Sequence, residues 1–315
     1  MFSGSIVALV TPFTLDNQID FYTLEHLIEW HIVSGTNGIV LAGTTGESAT
    51  LSSDEKVALA EAAVSIAKGR LKIILGNGSN DTAASIRLTQ RLNDTGIDGY
   101  LTVTPYYNKP TDAGLIAHFT AIAKATSLPI ILYNVPSRTL CDMKNEIVVK
   151  LAELNNIVGI KDATADLSRL THLKALLVTK LSKKTSKKLP KNKNFALLSG
   201  DDASSLAYCM AGGHGVISVS ANVVPKVISS IQKLLKTNKS DDLQQAKLID
   251  HRLIKLHQDL FIESNPIAVK WALYWMNKTN NDHLRLPLLS LSKTAQLSLQ
   301  KTLEDSGIKQ YLQEH

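Results

Sequence analysis

The chain has 315 residues, 44% of them hydrophobic, which is enough to bury a large core in one big domain or two smaller ones. Its two cysteines, Cys141 and Cys209, show no metal-ligand spacing and argue against a disulfide framework or a zinc site. The net charge of +6 is local: Lys180, Lys183, Lys184, Lys187, Lys188, Lys191 and Lys193 share one stretch without an acidic residue, the remainder is nearly neutral, and a general nucleic-acid-binding role gains no support.

The first apolar run, Ile6–Val10, is short and has no basic segment ahead of it, so it reads as a strand and not as a signal peptide. No apolar run approaches a membrane span, and the expected compartment is the cytoplasm. Further β-branched, apolar runs follow at Gly38–Leu41, Ile73–Leu75, Gly99–Val103, Ile130–Tyr133, Ile157–Ile160, Ala196–Leu198 and Val216–Val219. Helical periodicity fills the gaps at Ser52–Ala67, Ala83–Asn93, Ala113–Ala125, Lys144–Leu154 and Leu167–Leu177. The first of these opens on Ser52 with Glu55 three residues on, the spacing of a capping box.

Strands alternating with helices imply a parallel sheet with crossover helices. About eight such units predict a closed (β/α)8 TIM barrel over residues 1–224. A doubly wound open sheet is the alternative, but the Gly-rich phosphate turn it calls for is missing after the first strand. Gly76-Asn77-Gly78, after the third, lacks the final glycine and an acidic partner. From Pro225 the strand signal stops, and residues 225–315 read as a C-terminal extension of three or so helices. Asn265-Pro266 marks a helix start there, and Leu286-Pro287 a break. The lysine-rich insert, about 180–193, is expected as a solvated loop before the seventh strand, on the face opposite the chemistry.

The run Ile157-Val158-Gly159-Ile160 ends in Lys161. A lysine closing a buried strand stands out, because apolar surroundings disfavour an ammonium. A neutral amine is what Schiff-base chemistry with a carbonyl substrate needs. Other strand ends carry matching groups, and in a barrel they converge on one mouth. Thr44-Thr45-Gly46-Glu47 follows the second strand and offers hydroxyls and backbone N–H groups for a carboxylate. Thr104-Pro105-Tyr106-Tyr107 follows the fourth. Tyr133, on the strand beside Lys161, is a phenol that both donates and accepts a proton. Arg138 carries the planar fork suited to a second carboxylate. Each has an ordinary structural use alone; their shared position at one end of consecutive strands is what points to chemistry.

Gly43-Thr44-Thr45-Gly46-Glu47-Ser48, Tyr133-Asn134-Val135-Pro136-Ser137-Arg138-Thr139 and Gly159-Ile160-Lys161-Asp162 resemble motifs of the dihydrodipicolinate synthase family. So do Leu198-Ser199-Gly200-Asp201-Asp202, Gly213-His214-Gly215-Val216-Ile217-Ser218 and Asn265-Pro266-Ile267. The resemblance covers nearly the whole chain apart from the lysine-rich insert. It implies condensation of pyruvate with L-aspartate 4-semialdehyde, the entry step to diaminopimelate and lysine. Lys161 matches the Schiff-base lysine, and Thr44, Tyr107 and Tyr133 match a proton relay in which Tyr107 comes from a neighbouring subunit. Thr45 matches a pyruvate-carboxylate contact, Arg138 the residue receiving the semialdehyde carboxylate, and Gly200 and Ile217 match backbone positions lining the site. The resemblance implies no metal or organic cofactor, no nucleic-acid or membrane partner, and a homotetramer of tight dimers.

Two alternatives remain open. Another pyruvate-dependent aldolase, such as N-acetylneuraminate lyase or a 2-keto-3-deoxy sugar acid aldolase, shares the lysine and tyrosine; paired Thr44-Thr45, Tyr107 and Arg138 favour the synthase family. A non-catalytic barrel binding a keto acid is the other, since fold alone does not give function. Many family members are inhibited by lysine bound in a cleft at the tight dimer interface. The matching positions are Ser48, Ala49, Ser53, Lys56, Asn80, Ala84 and Tyr106. Ala84 stands where inhibited members carry glutamate, Lys56 where they often carry histidine, and Ser53 where some carry histidine. The cleft therefore reads as degenerate.

Overall fold

Eight short runs rich in aliphatic residues form parallel strands that follow one another in sequence order around a closed barrel. They are β1 (Gly4–Ala8), β2 (Gly38–Leu41), β3 (Lys72–Gly76), β4 (Gly99–Val103), β5 (Ile130–Asn134), β6 (Ile157–Asp162), β7 (Ala196–Ser199) and β8 (Gly215–Ser218). The computed structural model describes residues 2–182 and 195–305. Most strand positions are buried, which is why the strands read as continuous apolar runs and not as alternating ones. The fold is the expected α/β TIM barrel with helices between the strands and further helices after β8. β1 ends two residues before its apolar run does; Leu9 N still donates to Val40 O at 3.0 Å, and Val10 N turns to the Asn222 side chain at 3.1 Å.

The chain divides into two compact units. The first holds residues 2–3 and Ile73–Ile217, hence β3 to β8. Its helices are Thr82–Leu92, Asp112–Lys124, Pro136–Thr139, Asn145–Leu151, Leu167–Ser182 and Asp202–Met210. Three of them start on side chains that satisfy an orphan backbone N–H: Asp81 accepts from Ala83 N, Thr111 from Gly114 N and Asp201 from Ser204 N. The helix Asn145–Leu151 stops three residues short of the periodic pattern, because Leu154 N bonds to Leu151 O and a turn leads into β6. The lysine-rich insert is entered by the end of Leu167–Ser182; the expectation that it forms a loop opposite the chemistry falls on residues 183–194, outside the described residues.

The second unit holds Gly4–Lys72 and the chain from Ser218 on, hence β1 and β2. Its helices Phe21–Val33 and Ser53–Ala67 precede the C-terminal set Pro225–Thr237, Ser240–His251, Ile254–Asp259, Ile267–Trp275 and Lys293–Asp305. Among the described residues, five helices thus stand where three or so were expected, because two of them are only six and nine residues long. The capping box is present: Glu55 N donates to Ser52 Oγ at 3.2 Å, and Ser52 N donates to Glu55 Oε2 at 2.7 Å. Among the described residues, no helix is long and apolar enough to cross a membrane.

Candidate active site

In the first unit, β5 and β6 pair in a register that sets Tyr133 opposite Lys161 and Asn134 opposite Asp162. Parallel pairing brings both candidate side chains to the carboxyl ends of adjacent strands. The Lys161 amine lies 4.4 Å from the centre of the Tyr133 ring, and both side chains are buried. On the other side, β7 aligns Leu198 with Lys161 and delivers Gly200 just past its end. A Cβ at Gly200 would stand 2.9 Å from Lys161 Cε and 3.1 Å from its Cγ, so the bare glycine leaves the lysine its path.

The residues after Tyr133 and Lys161 are fastened by one polar circuit. Arg169 Nε donates to Asp162 Oδ2 at 2.9 Å, its Nη1 lies 3.1 Å from Asp142 Oδ1, and its Nη2 donates to the Met143 carbonyl. Asn134 closes the circuit, donating to Asp142 Oδ1 at 2.8 Å and accepting from Met143 N at 2.9 Å. Arg138 is exposed on the short helix Pro136–Thr139, immediately after β5. The Ile217 side chain is fully buried in β8. Tyr107 is 87% exposed and holds φ at +74°. Positive φ is unfavourable for a bulky side chain, so this tyrosine is presented outward at a conformational cost.

In the second unit, Thr44 and Thr45 occupy the loop after β2, Thr44 half-buried and Thr45 buried. The loop bends back on itself: Glu47 N donates to Thr44 O and Ser48 N to Gly43 O, each at 3.1 Å. Thr11 Oγ1 donates to Gly46 O at 2.8 Å. Glu47 takes a left-handed conformation, φ +54°, and its buried carboxylate meets the buried Lys270 Nζ at 2.6 Å. It also accepts from Arg285 N at 3.1 Å. Burial holds the Lys270 amine below its ordinary pKa, with Glu47 pulling the other way. Asn265 Nδ2 donates to Thr45 Oγ1 at 2.9 Å. The sequence marked Asn265 as a helix start and within a resembling motif but gave it no role, and Lys270 was missed altogether. The available signal was one lysine inside the otherwise apolar Ile267–Trp275.

The expected cleft positions divide between the units. Ser48 and Lys56 are half-buried and Ala49 and Ser53 exposed in the second; Asn80 and Ala84 are half-buried and Tyr106 exposed in the first. Asn108 Nδ2 ties the Tyr106–Asn108 turn to Asn80 O at 2.9 Å. Among the described residues, no three His, Cys, Asp or Glu side chains are grouped to hold a metal ion.

A lysine buried against a tyrosine at the strand ends of a parallel (β/α)8 barrel defines the Schiff-base, class I aldolase type of site. The chain matches the Dihydrodipicolinate synthetase family over residues 1–306 and belongs to it. It is 44% identical over 308 residues to the 4-hydroxy-tetrahydrodipicolinate synthase of Pseudoalteromonas atlantica, covering 98% of this chain and 99% of that one. A chloride-inhibited dihydrodipicolinate synthase from Acinetobacter baumannii, complexed with pyruvate, superposes with a TM-score of 0.90 at 44% identity, covering 98% of this chain and all of that one. The enzyme from Cyanidioschyzon merolae with lysine bound gives 0.88 at 36% identity, over 98% and 99% of the two chains.

Proposed function

We propose that the protein condenses pyruvate with L-aspartate 4-semialdehyde to give 4-hydroxy-tetrahydrodipicolinate. The reading is carried by the buried Lys161 amine 4.4 Å from the Tyr133 ring, at paired strand ends. Lys161 Nζ adds to the pyruvate ketone, and water leaves as the imine forms. The imine acidifies the adjacent methyl group, and loss of one proton gives an enamine. That carbon attacks the semialdehyde's aldehyde, forming the new C–C bond. The amine of the second substrate then displaces Lys161 from the imine carbon, which closes the ring and frees the lysine.

Every step moves a proton, and Tyr133 is the phenol nearest the amine in register. Thr44 and the Tyr107 of a neighbouring subunit complete the relay in this reading. Thr45 receives the pyruvate carboxylate, Arg138 that of the semialdehyde, and the Gly200 and Ile217 backbones line the site. The outward, strained Tyr107 supports sharing between subunits, since within its own chain it is left in solvent. The assembly is a homotetramer of tight dimers in the cytoplasm, each chain made of a catalytic barrel over residues 1–224 and a helical domain over 225–315.

Borohydride reduction in the presence of pyruvate tests the chemistry. The native protein is expected to carry a stable adduct on Lys161. Lys161→Arg keeps the charge but forms no imine, so adduct and activity should both vanish with the circular dichroism spectrum unchanged. A native-like rate from that variant would remove Lys161 from the mechanism.

A further inference from the structure

We propose that Asn265 is a positioning residue for the pyruvate carboxylate, acting by setting the direction of the Thr45 hydroxyl. The proposal rests on the reading of Thr45 as the carboxylate contact. Asn265 lies just ahead of the helix Ile267–Trp275, and its side-chain N–H reaches Thr45 Oγ1 at 2.9 Å across 220 residues of chain. Both side chains are buried. A hydroxyl has one proton to give and two lone pairs. With Asn265 donating to the oxygen, the Thr45 proton is turned away from Asn265. A carboxylate only accepts, so an aimed O–H is the partner it needs.

The loop's shape does not depend on Asn265. Its backbone is closed by Glu47 N to Thr44 O and Ser48 N to Gly43 O. Its Gly46 carbonyl is held by Thr11, and its Glu47 by Lys270 at 2.6 Å. Burying an amide side chain is costly unless it is bonded, and an apolar residue would serve packing alone. To a loop already held at four points, the contact from Asn265 adds the orientation of one hydroxyl.

Steady-state kinetics on Asn265→Ala should show KM for pyruvate raised about tenfold, the scale of one hydrogen bond to a charged acceptor. KM for the semialdehyde should stay native and kcat should fall by no more than about threefold, because the lost interaction is a binding one. Asn265→Asp keeps the shape but, ionised, accepts a hydrogen bond from the Thr45 hydroxyl and turns it away from the substrate; it should raise KM for pyruvate at least as much. It also decides the matter if the alanine variant does not fold. Thr45→Val should raise the same KM, and adding Asn265→Ala to it should change little, since both act through one hydroxyl. A native KM for pyruvate in Asn265→Asp, a loss confined to kcat, or full additivity with Thr45→Val overturns the proposal. If the native protein traps pyruvate under borohydride, those outcomes fall on Asn265 alone; if it traps none, the parent reading falls and takes this one with it.

Discussion

At the scale of single residues, the Lys161 amine is placed by what is absent beside it. Gly200 leaves Lys161 Cε and Cγ the space that a methyl group would take, with Ala163 Cβ at 2.8 Å closing the other side. The lysine chain is the flexible member of that contact and Ala163 the rigid one, so a Cβ at Gly200 displaces the amine and also presses on the backbone that carries Ala163. Gly200→Ala is expected to lose about 1–3 kcal/mol of stability to overpacking against Ala163 and roughly a hundredfold in kcat, the cost of misplacing a reacting atom by about an ångström. Stopped-flow trapping with pyruvate and borohydride checks this, and a rate within about threefold of native would show that the close approach does not matter. The residues proposed to act at the strand ends, Lys161, Tyr133, Thr44 and Thr45, were legible because each ends or follows the apolar run that delivers it. Their supports were not. Lys270 reaches Glu47 across 223 residues, and the Asn265 contact with Thr45 spans 220. No local pattern encodes such pairings.

At the scale of elements, the helix Ser53–Ala67 shows how one side chain serves two ends of the unit. Glu55 completes the capping box on Ser52 and is gripped by Arg285, whose Nη1 lies 3.0 Å from Glu55 Oε2. That guanidinium holds the Glu55 carboxyl down to about 2, from an ordinary value of 4.5. In the unfolded chain the group takes up a proton near 4.5; in the folded chain it resists until about 2. Glu55 therefore contributes stability that is complete above pH 4.5 and is lost as the pH falls through that window. Urea midpoints measured from pH 5 to pH 2 should fall less steeply in Glu55→Gln than in the native protein. Parallel curves would mean that Arg285 contributes no such linkage. The capping box could be read in advance because Ser52 and Glu55 are three residues apart. Phe21–Val33 could not, since exposed Phe21, Tyr22 and Val33 blur its buried stripe of Leu24, Leu27 and Ile28.

At the scale of the whole molecule, two consequences of the proposed assembly are open to experiment. If Tyr107 completes a neighbour's site, Tyr107→Phe and Lys161→Ala chains should complement when co-expressed. Each mixed dimer then has one site with native Tyr107 and native Lys161. Confirmed heterodimers without recovered activity would count against sharing. The second consequence concerns regulation by L-lysine. In the proposed cleft, Ala84 offers no carboxylate to a ligand's ammonium, and a charge-assisted bond of about 1.5–3 kcal/mol is forgone. That alone weakens binding by roughly ten- to a hundredfold. Lys56 adds to the difficulty. Burial already depresses its pKa, with only Glu55 opposing, so a second cation nearby meets a site that tolerates its own charge poorly. The protein is accordingly expected to be insensitive, or only weakly sensitive, to L-lysine at physiological levels. An initial-rate titration at fixed pyruvate and semialdehyde measures this directly. Half-inhibition below about a millimolar, the affinity of a modest effector site, would show that other groups in the cleft replace the missing carboxylate.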